Sequence, residues 1–235
     1  MNRSPQPRSQ RGFTRMELMF VVVGVLLLAC LAMLFVVNQH TTQETRKRIS
    51  CVSNLKHVGL GFRVFANDND DRFPFHVTNS LGFTNITWAW EHFQAMSNEL
   101  GSANILVCRA DRERLNNRMS DFGMGPHLTS TSLAGHGNAA ISYFVSLDAH
   151  ETLPNVMLVG DRNLETNSGN LQGKVFASSP ASLSAWDERQ HGRRGNATLA
   201  DGSVQQMTNP MLEKQVAISS AGGPGTNRLL LPLLP

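Results

Sequence analysis

The sequence predicts an α+β fold, one long N-terminal helix packed against an antiparallel sheet. Three observations carry this. From Leu18 to Val37 the chain is apolar, with no charge, proline or amide. Beyond it Ile49, Val52, Leu55, Val58, Phe62 and Phe65 recur at three- and four-residue spacing, a helix with one apolar stripe. After residue 140 the pattern turns to short β-branched and aromatic runs separated by turn residues. Helix first and strands later is the α+β order.

The apolar run, at about 1.5 Å per residue, reaches across a hydrocarbon core of roughly 30 Å. A polar, basic leader with Pro5 and Pro7 precedes it, and the chain enters through Arg11-Gly12-Phe13-Thr14-Arg15-Met16-Glu17. Glu17 stands at the threshold of the run, where a carboxylate is expensive to place in lipid. A secretory signal peptide and a plain membrane anchor share the leader and the apolar run. A signal peptide usually has a shorter apolar region ending at small residues. Here Ala29-Cys30-Leu31-Ala32 lies inside the run, with Met33 to Val37 still to come.

Gly12-Phe13-Thr14-Arg15-Met16-Glu17-Leu18 resembles the cleavage and methylation motif of type IV prepilins and type II secretion pseudopilins, usually Gly-Phe-Thr-Leu-Ile-Glu-Leu. Arg15 departs from that form. The resemblance implies cleavage after Gly12 by a prepilin peptidase and methylation of the new amino terminus at Phe13. It implies that Glu17 pairs with the Phe13 amino group of a neighbouring subunit, which suits a carboxylate that needs a cation in lipid. It further implies a pilin-like fold and a structural rather than enzymatic role in a pseudopilus. The partners would be the peptidase, other pseudopilin subunits and, indirectly, the secretion platform and ATPase. The chain would cross the bacterial inner membrane once, with a cytoplasmic N-terminus and a periplasmic soluble domain. The alternatives are a surface type IV pilin for adhesion or DNA uptake, and an anchored periplasmic protein of other function. The boundaries on this reading are a leader at 1–12, a membrane half-helix at 13–39 and an amphipathic half at 40–66. A soluble domain at 67–210 and a tail at 211–235 complete the chain.

Net charge is +3 and the pI near 9.0, values that also suit a nucleic-acid binder. The leader holds Arg3, Arg8 and Arg11 and no acid, so its removal lowers Lys+Arg from 21 to 18, against 18 Asp+Glu. The excess charge is a topology signal, keeping the leader on the cytoplasmic side. Nucleic acid is not an expected partner. Of three cysteines, Cys30 is an apolar filler in the membrane run. Cys51 and Cys108 fall in the exported part, where a disulfide between them suits an oxidising compartment.

Along the soluble part, Gly59 and Gly61 weaken the helix by about 1 kcal/mol each relative to alanine, or permit close packing. Asn67-Asp68-Asn69-Asp70-Asp71 ends the helix, with Pro74 beyond. These acids lack the central glycine and terminal glutamate of a calcium loop and read as a solvated turn. Trp90, Phe93, Met96 and Leu100 predict a short helix with aromatics inward. Ile105-Leu106-Val107-Cys108 is a short apolar run, and Arg109 to Arg118 reads as an exposed charged segment. Gly123 to Asn138 reads as a long loop in which His127 and His136 are surface residues. Strands are expected at Ile141–Val145, Val156–Val159 and, more weakly, Lys174–Ala177. Ala197–Ala200 and Ser203–Met207 read as a hairpin with Asp201-Gly202 as a type I′ turn. The tail, rich in glycine and broken by Pro232, is expected to be loose or to pack locally.

His191, followed by nine residues and Asp201-Gly202, resembles the H-X9-DG signature of prepilin-like proteins from planctomycete- and verrucomicrobia-type bacteria. Cys51-Val52-Ser53-Asn54-Leu55-Lys56, Phe65-Ala66-Asn67-Asp68-Asn69-Asp70 and Gly160-Asp161-Arg162-Asn163 resemble the same group. His191 either hydrogen-bonds the hairpin that follows or joins Asp161 or Asp201 at a metal. Calcium is the ion the resemblance leaves open; otherwise no cofactor or metal is expected. His191-Gly192-Arg193-Arg194-Gly195 could cradle a phosphate, though arginines in such a loop are more often exposed. No catalytic triad, nucleotide loop or paired metal-ligand spacing is legible.

Overall fold

The computed structural model describes residues 14–77, 88–123, 131–166, 175–179, 182–221 and 227–232. Gly12, Phe13 and His127 lie outside the described residues. The chain forms two units, Met1–Thr45 and Arg46–Pro235. The architecture is α+β.

Helix α1 spans Arg15–Asp68. It starts with a reciprocal cap, which satisfies amide hydrogens that no preceding turn can serve. Thr14 N–H donates to Glu17 Oε2 at 2.9 Å, and Glu17 N–H donates to Thr14 Oγ1 at 3.3 Å. Arg15–Val36 has mean hydropathy 3.1 and is long and apolar enough to cross a membrane. Its large side chains are exposed, as a lipid-facing surface requires and a folded core does not.

In the second unit α1 buries Cys51, Leu55, Val58, Phe62, Phe65 and Ala66. Ile49, expected on this stripe, is 62% exposed, and Val52 is only half-buried. Two residues turn a helix by about 200°, so a stripe containing Cys51 sends Ile49 to the far side. The helix ends as expected in an exposed acidic turn. Asp70 and Asp71 adopt φ of 56° and 57°, and Asp71 N–H donates to Ala66 O at 2.9 Å.

Six antiparallel strands make one sheet. In chain order they are β1 (Tyr143–Ser146), β2 (Met157–Asp161), β4 (Phe176–Ser178), β6 (Arg194–Leu199), β7 (Val204–Thr208) and β8 (Asn227–Leu230). Their order across the sheet is β4-β8-β1-β2-β6-β7. A separate ribbon pairs β3 (Leu164–Thr166) with β5 (Leu183–Trp186). The sheet is covered on both faces. Tyr143 and Val145 join the α1 side, whereas Phe144 joins a cluster with Trp186 and with Leu212 and Val216 of helix α5 (Asn209–Ala221). Two-sided burial explains why β1 and β2 lack polar alternation.

The described residues of the tail are packed, and not only locally. Residues 211–221 belong to α5, and β8 lies between β4 and β1, with Leu229 and Leu230 buried. Leu231 is buried too. The aromatic helix breaks at Met96 into α2 (Ala89–Ala95) and α3 (Ser97–Leu100), with Phe93 and Met96 buried. Part of the expected 123–138 loop is helical, as α4 (Leu133–His136) followed by a 3-10 turn.

The β6–β7 hairpin forms, but its turn differs from type I′. Gly202 N–H donates to Leu199 O at 2.9 Å and Leu199 N–H to Ser203 O at 2.8 Å. Gly202 has φ 84°, while Asp201 is not among the positive-φ residues. This is a tight turn followed by a left-handed glycine in a three-residue loop, in which only the glycine needs positive φ. Near the C-terminal end of α1, a Cβ on Gly59 would come 2.5 Å from Thr198 Cγ2 of β6. Gly61 similarly meets Leu100, so both glycines serve close packing.

Candidate functional site around Cys51, Cys108 and His191

Four elements converge where β2 ends and β6 begins. Helix α1 supplies Cys51. A 3-10 turn, Ala103–Leu106, delivers Cys108. Strand β2 ends at Asp161, and the turn before β6 carries His191. All four side chains are buried.

Cys51 and Cys108 form the expected disulfide, with Cα atoms 5.1 Å apart, inside the usual span. His191 Nε2 lies 3.3 Å from Cys108 Sγ and 3.5 Å from Asp161 Oδ2. The His191 carbonyl accepts from Arg48 Nη2 at 3.3 Å. Gly192 and Arg193, with φ of 62° and 57°, turn the chain sharply into β6 behind it.

Asp161 Oδ2 accepts two bonds at 2.8 Å, from the backbone and the side-chain amide of Asn196 on β6. Oδ1 has no hydrogen-bond partner among the described residues. Burial pushes the Asp161 carboxyl up to about 7, and the charge of Asp111 adds to this, against the opposing bonds from Asn196. His191 therefore reaches the hairpin through Asp161 and Asn196.

Asp201 and Gly202 sit at the opposite end of β6 from His191. The nine-residue spacing is one turn plus one strand, roughly 20 Å of extended chain for six residues. A shared metal for His191 and Asp201 is thus ruled out by the strand between them. Asp201 shapes the loop, with Oδ1 accepting from Ser203 N–H at 2.8 Å and its carbonyl accepting from Arg63 Nη1 at 2.9 Å.

The segment Arg109–Arg118, expected to be exposed, is partly the reverse. Asp111 and Arg114 are fully buried. Arg162 donates to Asp111 through Nε at 2.8 Å and Nη2 at 2.9 Å, and Gln190 Nε2 donates to Asp111 at 2.9 Å. Burial alone would raise the Asp111 carboxyl, but the bonds and charge of Arg162 outweigh it and hold it low. Gly160-Asp161-Arg162-Asn163 is thereby accounted for: Asn163 Nδ2 bonds the carbonyls of Asp187 and Arg194, fastening the loop that carries His191.

Outside His191, a groove of about 150 Å³ is lined by Arg48, Arg194, Asn196, Gln206 and Thr208. Arg193 points elsewhere, exposed and paired with Glu188 at 2.9 Å. Cys51, Cys108 and His191 place their donor atoms within 4.8 Å of one another, a spacing that suits a metal ion only once the disulfide is reduced. Their separations, 57 residues between the cysteines and 83 from Cys108 to His191, match no short ligand motif. That is why spacing did not reveal them. Glu17 heads α1, in the cap described above. No family model matches the chain, and neither the curated proteins nor the solved structures contain a match.

Proposed function

We propose that the protein is a pseudopilin, a non-enzymatic subunit of a type II secretion pseudopilus or related fibre, assembled through its N-terminal helix. The observation that carries this is Glu17 at the mouth of a membrane-length helix, five residues after Gly12, in a segment that resembles the prepilin motif. The second half of the same helix is the spine of a sheet domain, which suits a subunit that packs by its helix and displays its domain.

On this reading the leader is cut after Gly12, Phe13 is methylated, and the chain crosses the inner membrane once with the domain on the periplasmic side. The mature charge balance gives no basic excess for nucleic acid. Mass spectrometry of the native membrane protein tests the proposal. A mature chain starting at methylated Phe13 is expected. A chain starting at Met1, or cut near Ala32, overturns it. Loss of an exported protein on deletion, with surface fibres intact, separates a secretion subunit from a surface pilin.

A further inference from the structure

The cysteine–histidine cluster has two chemical states available, and only one is a disulfide. We propose that on reduction Cys51, Cys108 and His191 bind a tetrahedral zinc ion, with Asp161 on the fourth side. This stands independently of the pseudopilin reading.

The geometry is close to a zinc site already. Zinc bonds of about 2.3 Å to sulfur and 2.0–2.2 Å to nitrogen or oxygen put tetrahedral ligand atoms roughly 3.3–3.8 Å apart. His191 Nε2 is 3.3 Å from Cys108 Sγ and 3.5 Å from Asp161 Oδ2. The donor atoms of Cys51, Cys108 and His191 lie within 4.8 Å of one another; the two sulfurs, bonded to each other in the oxidised chain, must part, and Asp161, outside that set, must move in to complete it. The set is soft, with thiolate and imidazole donors, which favours zinc over calcium.

Asp161 supplies an independent observation. Its carboxyl is fully buried, its Oδ2 is fixed by Asn196, and its Oδ1 is left without a partner among the described residues. An orphaned buried acceptor is costly unless something fills it, and a bound cation or its water would. Asn196 orients the carboxylate as an outer partner orients a ligand. The groove beside His191 offers an entry path.

The redox step balances with a dithiol as reductant. The dithiol gives two electrons and two protons, becomes a disulfide, and leaves Cys51 and Cys108 as thiols. Zinc then displaces one proton from each thiol, and His191 binds through neutral Nε2.

The test uses the full chain in detergent, reduced with a phosphine that does not compete for metal, and titrated with Co²⁺ and then Zn²⁺. One Co²⁺ per chain is expected, with a thiolate charge-transfer band and the intense visible bands of a tetrahedral site, bleached by Zn²⁺. The oxidised chain, an internal control that needs no variant, should show neither. His191→Ala should lose the tetrahedral spectrum, and Asp161→Asn should weaken zinc by about 10- to 100-fold. Near-ultraviolet circular dichroism reports whether each variant is folded. Absence of cobalt binding by the reduced parent overturns the proposal, as does the same spectrum in folded His191→Ala or in the oxidised chain.

Discussion

Arg162 grips Asp111 with two parallel hydrogen bonds in a site where neither side chain is more than 2% exposed. A bidentate guanidinium–carboxylate pair satisfies both charges geometrically, and Gln190 adds a third bond to the carboxylate. The pair ties the segment after Cys108 to the end of β2, so it sets the two walls between which His191 lies.

Breaking this pair from one side leaves a buried charge alone. Arg162→Met should destabilise the domain by about 3–5 kcal/mol. The double change Arg162→Met with Asp111→Leu should cost clearly less than Arg162→Met alone, because the buried carboxylate goes with its partner and Glu113, the other partner of Arg162, is half exposed to water. Urea unfolding of the full chain in detergent, followed by tryptophan fluorescence, measures both.

The Cys51–Cys108 disulfide closes a loop across a separation of 57 residues. In the chain-entropy account such a loop is worth about 4 kcal/mol. Reduction, or Cys108→Ala, should lower the unfolding free energy by that order in metal-free buffer. Thiol labelling of the native protein without reductant should modify neither Cys51 nor Cys108, and both should label after reduction and unfolding.

His92 is buried against Phe75, with both ring nitrogens unpartnered among the described residues, and burial pushes its imidazole down to about 3. The unfolded chain, with an ordinary histidine near 6.5, binds more protons than the folded chain between those two values. Stability is therefore full above about pH 6.5 and falls as pH falls, by about 2 kcal/mol at pH 5 from this group. Stability against pH for the parent and His92→Phe should diverge over that window. Parallel curves would contradict the assignment.

Gly59→Ala pits helix propensity against space. Alanine favours the helix by about 1 kcal/mol, but its Cβ would press Thr198 Cγ2 at 2.5 Å. A net loss of about 1–3 kcal/mol is expected. Thr198→Ser removes that methyl and keeps the hydroxyl that donates to Leu55 O at 3.2 Å. In the Thr198→Ser background Gly59→Ala should cost less, and the double-mutant cycle reads the coupling.

Glu17 has two separable tasks. It caps α1 through Thr14, and on the proposed function it pairs with a neighbour's amino terminus. Glu17→Gln keeps a capping-box residue and removes the charge, whereas Glu17→Ala removes both. Both variants should insert and be cleaved, and both should fail to enter fibres. If Glu17→Gln assembled as well as the parent, the intersubunit charge pairing would be wrong and the cap would be the residue's whole role.

Local chemistry made much of this protein legible in its sequence. The membrane-length run is a property of composition. The long helix and its acidic stop follow from a 3.6-residue period and the turn residues after it, and two close-packed glycines stood out because they are poor helix formers. The hairpin was legible from Asp201-Gly202, though not its turn type, which depends on whether one or two residues adopt positive φ. Tertiary structure alone decided the rest. Strand β8, Asn227–Leu230, carries no β-branched or aromatic residue to announce it and is held by neighbours on both sides. Asp111 and Arg114 read as surface charges until Arg162, brought in just after β2, neutralised the first of them in the interior. Cys51, Cys108, Asp161 and His191 come from one helix, one turn, one strand end and one loop, and no period or motif spans such distances. Only the folding of α1 against the sheet, permitted by the bare backbone at Gly59, brings them within reach of one another.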